Sequence, residues 1–244
     1  MPTLILSSRY TEDAQRLWQA AIRRGWTVER LHNWRIPAHL RGVREPVLYL
    51  EALMAPTLAE EFGLTLLEPP EDWLPRLPEE YRRRSVHLTT LGTARQHLLP
   101  AFVKPPNEKS FPACVYDRDS LPADYPDDMP VLVAEVVTWE KEFRCFILDQ
   151  TIRTFSIYLR NGALQQEHDF ASTTAEATEL EQFVGQVLHD PHVTVPRAIV
   201  MDVGVIQHRG WAVVELNAAW GAGIYGCDPD EVLEVVRCAM RREV

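Results

Sequence analysis

The chain has 244 residues, 46% hydrophobic and 25% charged, and carries a net charge of -10 at pH 7. That length supports a real core in one large domain or two small ones, and the composition sets aside disorder, collagen and coiled coil. An acidic chain with no long basic stripe does not suit a general nucleic-acid binder, and no apolar run reaches the length of a membrane span.

Thr3 to Leu6 predicts a first strand. Arg9 and Glu12-Asp13 follow too soon for a signal peptide, and Cys114, Cys145, Cys227 and Cys238 have no paired spacing, so reduced thiols and a cytoplasmic location are expected. Thr11 reads as an N-cap before an acidic turn, and Ala14, Leu17, Trp18, Ala21 and Ile22 form one helical stripe that stops at Gly25. Strands over 28–31, 46–50 and 64–67, with a helix over 53–62, complete a small α/β unit with a parallel sheet. Residues 68–78 hold four prolines in eleven, which excludes a regular element and sets the boundary between a domain at 1–78 and a second at 79–244. An arginine-rich helix is expected over 79–98. Strands then dominate, over 101–104, 113–116, 131–137, 142–148 and 152–159. Thr173 and Glu176 form a capping box for a helix that buries Ala177, Leu180, Val184 and Leu188. Asp228-Pro229 starts a last helix that buries Val232, Val235, Val236, Ala239 and Met240. The expected class is α/β, turning α+β in the second part.

Two features carry chemistry. The first is a hairpin of Ala198 to Val203 with Trp211 to Asn217, turning at Gln207-His208-Arg209-Gly210. If Gln207 pairs with Gly210, Asp202 falls opposite Glu215, and strand alternation puts Asn217 on the same face. Opposed carboxylates repel, so a cation between them is economical, and hard ligands of this type suit Mg²⁺ or Mn²⁺. Taken alone, the hairpin is better explained as a solvated sheet face with its polar residues outward. Residues 1–100 hold 13 basic and 12 acidic side chains and residues 101–244 hold 12 and 23, an asymmetry that fits a cation site in the second part. The second feature is lysine scarcity. Only Lys104, Lys109 and Lys141 occur among 25 basic residues, and Lys104 ends a strand just before Pro105-Pro106. An ammonium there needs an anion, either a phosphate or a buried acidic neighbour.

Lys-Pro at a strand end, a strand running to Glu135-Val136-Val137, a second glutamate at Glu142, then Asp202, Glu215 and Asn217 in that order resemble the ATP-grasp superfamily over residues 80–244. Within it the chain is most similar to the clade named for an arginine and two lysines, and residues 215–225 share that likeness. The resemblance implies a small leading α/β domain and two sheets flanking ATP. It also implies roles: Lys104 on the α and β phosphates, the Glu135–Val137 backbone on adenine, and Glu142 on the ribose. Asp202, Glu215 and Asn217 would hold Mg²⁺, with Arg144 and Lys109 neutralising the transferred phosphoryl group. The loop after Lys104 lacks the usual glycines, and no upstream lysine is present, so Arg84 is expected to replace it. The implied reaction is amide formation between a carboxylate and an amine on a small molecule or peptide. A nucleotide-binding regulatory protein and a kinase of the same fold are the alternatives.

Overall fold

The computed structural model describes residues 1–242 apart from Trp34, Leu98, Glu108 and Arg118. The first unit alternates β1 (Thr3–Leu6), α1 (Glu12–Arg23), β2 (Thr27–Arg30), β3 (Pro46–Tyr49), α2 (Ala55–Glu61) and β4 (Leu64–Leu66). Strands β2, β1 and β3 form the expected parallel sheet in that order. Thr11 caps α1 by accepting the Ala14 N–H at 3.1 Å. Strand β4 does not join this sheet; it pairs antiparallel with β14 (Met240–Arg242) at the other end of the chain.

The proline-rich stretch is more ordered than its sequence implies, because α3 (Trp73–Arg76) holds Pro75 in a first turn where the missing N–H costs nothing. Trp73 is buried, and its Nε1 donates to the Thr194 carbonyl at 2.7 Å. The expected 79–98 helix is corrected into three elements: α4 (Glu79–Arg82), β5 (Val86–Thr90) and α5 (Leu91–His97). Arg83 adopts a left-handed φ of 47° and ends α4. The β-branched Val86, Thr89 and Thr90 then favour a strand, which the strand over Pro130–Ala134 accepts as a partner. Leu98, the expected end of that helix, lies outside the described residues.

The second unit continues with β6 (Ala101–Lys104), β7 (Cys114–Tyr116), β8 (Pro130–Ala134), β9 (Trp139–Leu148), β10 (Thr151–Arg160), β11 (Ala163–Leu164), α6 (Thr174–His189), β12 (Ala198–Ile206), β13 (Gly210–Asn217) and α7 (Pro229–Arg237). One sheet runs β5-β8-β6-β7 and the other β11-β10-β9-β12-β13, both antiparallel. Helix α6 opens with the expected capping box, and α7 has Pro229 in its first turn and ends at Arg237, leaving Ala239 and Met240 outside it.

Alternation on the larger sheet explains where the chemistry falls. Phe143, Cys145 and Ile147 of β9 and Ile199, Met201 and Val203 of β12 pack with Leu180, Val184 and Val187 of α6. The opposite face is divided along its length. Phe146, Ala198 and Val200 pack into the core of the first unit together with α7, whereas the next residues on that face are Arg144 and Asp202. The polar patch therefore begins where the first unit stops covering the sheet. All four cysteines are free thiols, and among the described residues no helix is long and apolar enough to cross a membrane.

Candidate functional site

Three adjacent strands put Arg144, Asp202 and Glu215 in one row, since Asp202 pairs with Arg144 on β9 and with Glu215 on β13. The expected opposition of the two carboxylates is present, but the turn does not set it. Ile206, not Gln207, pairs with Gly210, and a β-bulge between the Asp202 and Val203 pairs restores the register. Val214 is the extra residue, so Val213 and Leu216 both reach the α6 core although three positions apart. Gly204 permits the close approach of β9: a Cβ there would lie 2.5 Å from the Lys141 carbonyl oxygen.

Arg84 secures the bulge. Its Nη1 donates to the Val213 carbonyl at 2.7 Å and its Nη2 to the Val214 carbonyl at 2.8 Å, with the guanidinium 5.0 Å from the Trp139 ring centroid. The side chain is buried, and desolvation lowers its pKa to about 10 although Glu215 and Glu142 act the other way. Only the family resemblance singles out Arg84 in the sequence; beside Arg82 and Arg83, no local pattern signals that this position alone turns inward.

The charges of the site pair with one another. Arg144 meets Asp202 bidentately, Nε to Oδ1 at 2.9 Å and Nη2 to Oδ2 at 2.7 Å, and its Nη1 donates to the Gly223 carbonyl at 2.9 Å. Lys104 reaches across from the other sheet to form an ion pair with Glu215. The acidic neighbour considered for this lysine is thus a metal-type ligand. Asn217 donates its amide to Asp202 Oδ2 at 3.1 Å and Glu215 Oε1 at 3.0 Å, so the three side chains converge on one point. Burial raises the pKa of Asp202 while Arg144 opposes the rise. Burial also works against the Glu215 carboxylate, but Lys104 and Asn217 outweigh it and hold the pKa below the ordinary value.

Those residues fit a magnesium ion. Mg²⁺ takes one or two protein carboxylates and completes its octahedron with water and phosphate oxygens, and an amide can turn its oxygen inward in place of its nitrogen. Among the described residues no three His, Cys, Asp or Glu side chains converge in a metal-holding group, so the set here is two carboxylates and an amide.

Glu142 stands two residues before Arg144 and accepts the Tyr158 hydroxyl at 2.9 Å; burial raises its pKa, and Asp202 and Glu215 add to the rise. Strand β8 stops at Ala134, short of the expected 137. Glu135 pairs with Arg209 of the hairpin turn at 2.6 Å. Among the described residues no hydrogen bond engages the backbone of Val136 or Val137. Lys109 is exposed and lines a cleft of about 620 Å³ together with Arg144, Asn217 and Gly223. The far wall of that cleft comes from the first unit, including Ser7, Asp13 and Glu51. Sequence reasoning missed these: Asp13 looked like an ordinary acidic first turn, yet it accepts the Ile224 N–H at 3.0 Å, and Glu51 carried no motif.

Among curated proteins none matches the sequence. Solved structures match its fold over nearly the whole chain. D-cycloserine synthetase DcsG is 13% identical with a TM-score of 0.58, covering 97% of this chain and 99% of that one. A RimK domain ATP-grasp protein from Sphaerobacter thermophilus is 12% identical with a TM-score of 0.55, covering 97% and 98%. The ATP-grasp ligase PsnB, complexed with a minimal precursor, is 12% identical with a TM-score of 0.53, covering 96% and 97%. The model of the second ATP-grasp domain family in the clade named for an arginine and two lysines matches residues 81–235, and the chain belongs to that family.

Proposed function

We propose that the protein is an ATP- and Mg²⁺-dependent ligase that joins a carboxylate to an amine through an acylphosphate. The observation that carries this is the double ion pair, Lys104 with Glu215 and Arg144 with Asp202. One patch holds cations suited to phosphates and carboxylates suited to a metal, which are the two parts that phosphoryl transfer requires. Mg²⁺ held by Asp202, Glu215 and Asn217 would draw charge from the phosphate oxygens.

Lys104 then exchanges Glu215 for the α and β phosphates, its ammonium being a compact charge at the end of β6. The unengaged backbone of Val136 and Val137, just after Glu135, reads the adenine edge, and Glu142 binds the ribose hydroxyls. Arg84 acts through the bulge, aiming Glu215 and adding positive charge nearby. Arg144 and Lys109, on the cleft side, neutralise the transferred phosphoryl group. No side-chain nucleophile is needed. The donor carboxylate attacks the γ-phosphorus and ADP leaves; the amine then attacks the acyl carbon and phosphate leaves. The structure of PsnB with a phosphomimetic variant of its minimal precursor, Mg and ADP supports the cofactor assignment by analogy of fold.

The test uses ATP, Mg²⁺, a pool of amino acids and small carboxylic acids, and hydroxylamine as an acyl trap. Expected is ADP release matched by hydroxamate. ADP without hydroxamate would mean phosphoryl transfer to another acceptor, and nucleotide binding without turnover would mean a regulatory pocket.

A further inference from the structure

Glu142 is met by a side chain from one flanking strand only. On β12 its pairing position is Gly204, which offers no side chain. On β10 a second β-bulge stands at this level: Ile157 pairs with Phe143 and Leu159 with Glu142, so Tyr158 is the extra residue and opposes Glu142 together with Leu159. The two bulges, at Val214 and at Tyr158, flank the same apolar row of Val213, Val203, Phe143 and Ile157 that faces α6. The Tyr158 hydroxyl donates to Glu142 Oε2 at 2.9 Å, which ties down one oxygen of the carboxylate. Among the described residues Oε1 accepts no hydrogen bond, and it is not one of the side-chain oxygens sealed from solvent. Glu142 thus presents one reachable acceptor whose direction is set through the other oxygen.

Tyr158 is itself held in place. It is 8% exposed, stacks on Tyr225 with ring centroids 5.0 Å apart and planes at 15°, and has the Arg144 guanidinium 5.5 Å from its centroid. Tyr225 is fixed in turn: Arg16 Nη1 donates to its carbonyl at 2.6 Å, and Phe170 packs on its ring at 5.9 Å. The next residue has to be Gly226, because a Cβ there would lie 2.3 Å from Phe170 Cβ. Burial, with Asp202 and Glu142 nearby, pushes the Tyr158 pKa up, so its hydroxyl keeps the proton and remains a donor.

We infer that Tyr158 is a positioning residue that makes the site selective for ribonucleotides: by holding Glu142 Oε2 it aims Oε1 at the 2′-hydroxyl of the ribose. Its role rests on the proposed reading of Glu142 as the ribose ligand and holds whichever reaction follows. A hydroxyl donating to a fixed carboxylate oxygen makes a charge-assisted bond, which a 2′-deoxynucleotide cannot form. A carboxylate free to turn spends that acceptor on water instead.

Calorimetric titration of the full chain with ADP and with 2′-deoxyADP, each in Mg²⁺, tests this without turnover. The wild-type protein is expected to bind ADP at least about tenfold tighter than 2′-deoxyADP. In Tyr158→Phe, which keeps a ring against Tyr225 and Arg144, the preference should fall to within about threefold, with the loss falling on ADP. Glu142→Ala should lose the preference as well. Full preference in Tyr158→Phe alongside its loss in Glu142→Ala would overturn the role of Tyr158 and leave the ribose reading standing. A loss in Tyr158→Phe shared equally by both nucleotides would overturn it too, since that is what a packing role produces. No preference in the wild-type protein, a preference kept in Glu142→Ala, or no binding of either nucleotide would remove the ribose reading and the role of Tyr158 together. Should Tyr158→Phe not fold, Tyr158→Met removes the same hydroxyl and is read in the same way.

Discussion

Asp202→Ala is expected to destabilise the fold by about 3–5 kcal/mol, the range seen when one member of a buried ion pair is removed. Asp202 is fully buried, and it neutralises Arg144, which is itself buried on the same sheet face between Tyr158 and Tyr225. Without the carboxylate, the guanidinium keeps the two tyrosine rings and, among the described residues, the Gly223 carbonyl as its one present hydrogen-bond partner. Thermal denaturation should show a loss of roughly 6–20 °C for a chain of this size. The double variant Asp202→Ala, Arg144→Met should recover much of that loss, because it removes the stranded charge instead of exposing it. A drop under about 1 kcal/mol in the single variant would mean that the pair is solvated and that the row of charges is a surface feature.

Glu215→Gln separates a metal ligand from a structural partner. The change preserves shape and the amide contact with Asn217 but removes the charge that holds Lys104. Turnover at saturating ATP and Mg²⁺ is expected to fall by at least about 100-fold, the scale of losing one electrostatic element in a transfer site. Affinity for ATP in EDTA should be retained or rise, because Lys104 no longer exchanges one anion for another. Steady-state ADP release and a metal-free titration check both halves. Full turnover in the variant would contradict the assignment of Glu215.

Much of this site was legible from the sequence because strands expose their geometry directly. Alternation put Glu215 and Asn217 on one face, and the opposition of Asp202 and Glu215 is present in the structure. The route to it was wrong in one step: a bulge at Val214 compensates a turn that closes one residue earlier than expected, and bulges leave little trace in an apolar run. Long-range partners were less accessible. Glu51 and Asp13 reach the cleft because β14 and α7 return to complete the first unit's core, a packing that no local pattern announces. Arg84 carries the same side chain as Arg82 and Arg83, and only the left-handed turn at Arg83 and the bulge carbonyls it meets set it apart. The helix expected over 79–98 failed because arginine content says nothing about Arg83 taking a left-handed turn or β8 offering an edge to Val86. The family itself was readable because four short motifs stand in fixed order along the chain, each on or just after a strand.

On the proposed reading, the cations and carboxylates that pair with each other are redistributed together, so metal and nucleotide are expected to bind cooperatively. Calorimetric titration of the wild-type chain with a nonhydrolysable ATP analogue, with Mg²⁺ and then in EDTA, measures this directly. Expected is a coupling of at least about tenfold, within the usual range for linked sites, that is lost in Glu215→Gln. Equal affinity with and without Mg²⁺ in the wild-type protein would contradict it.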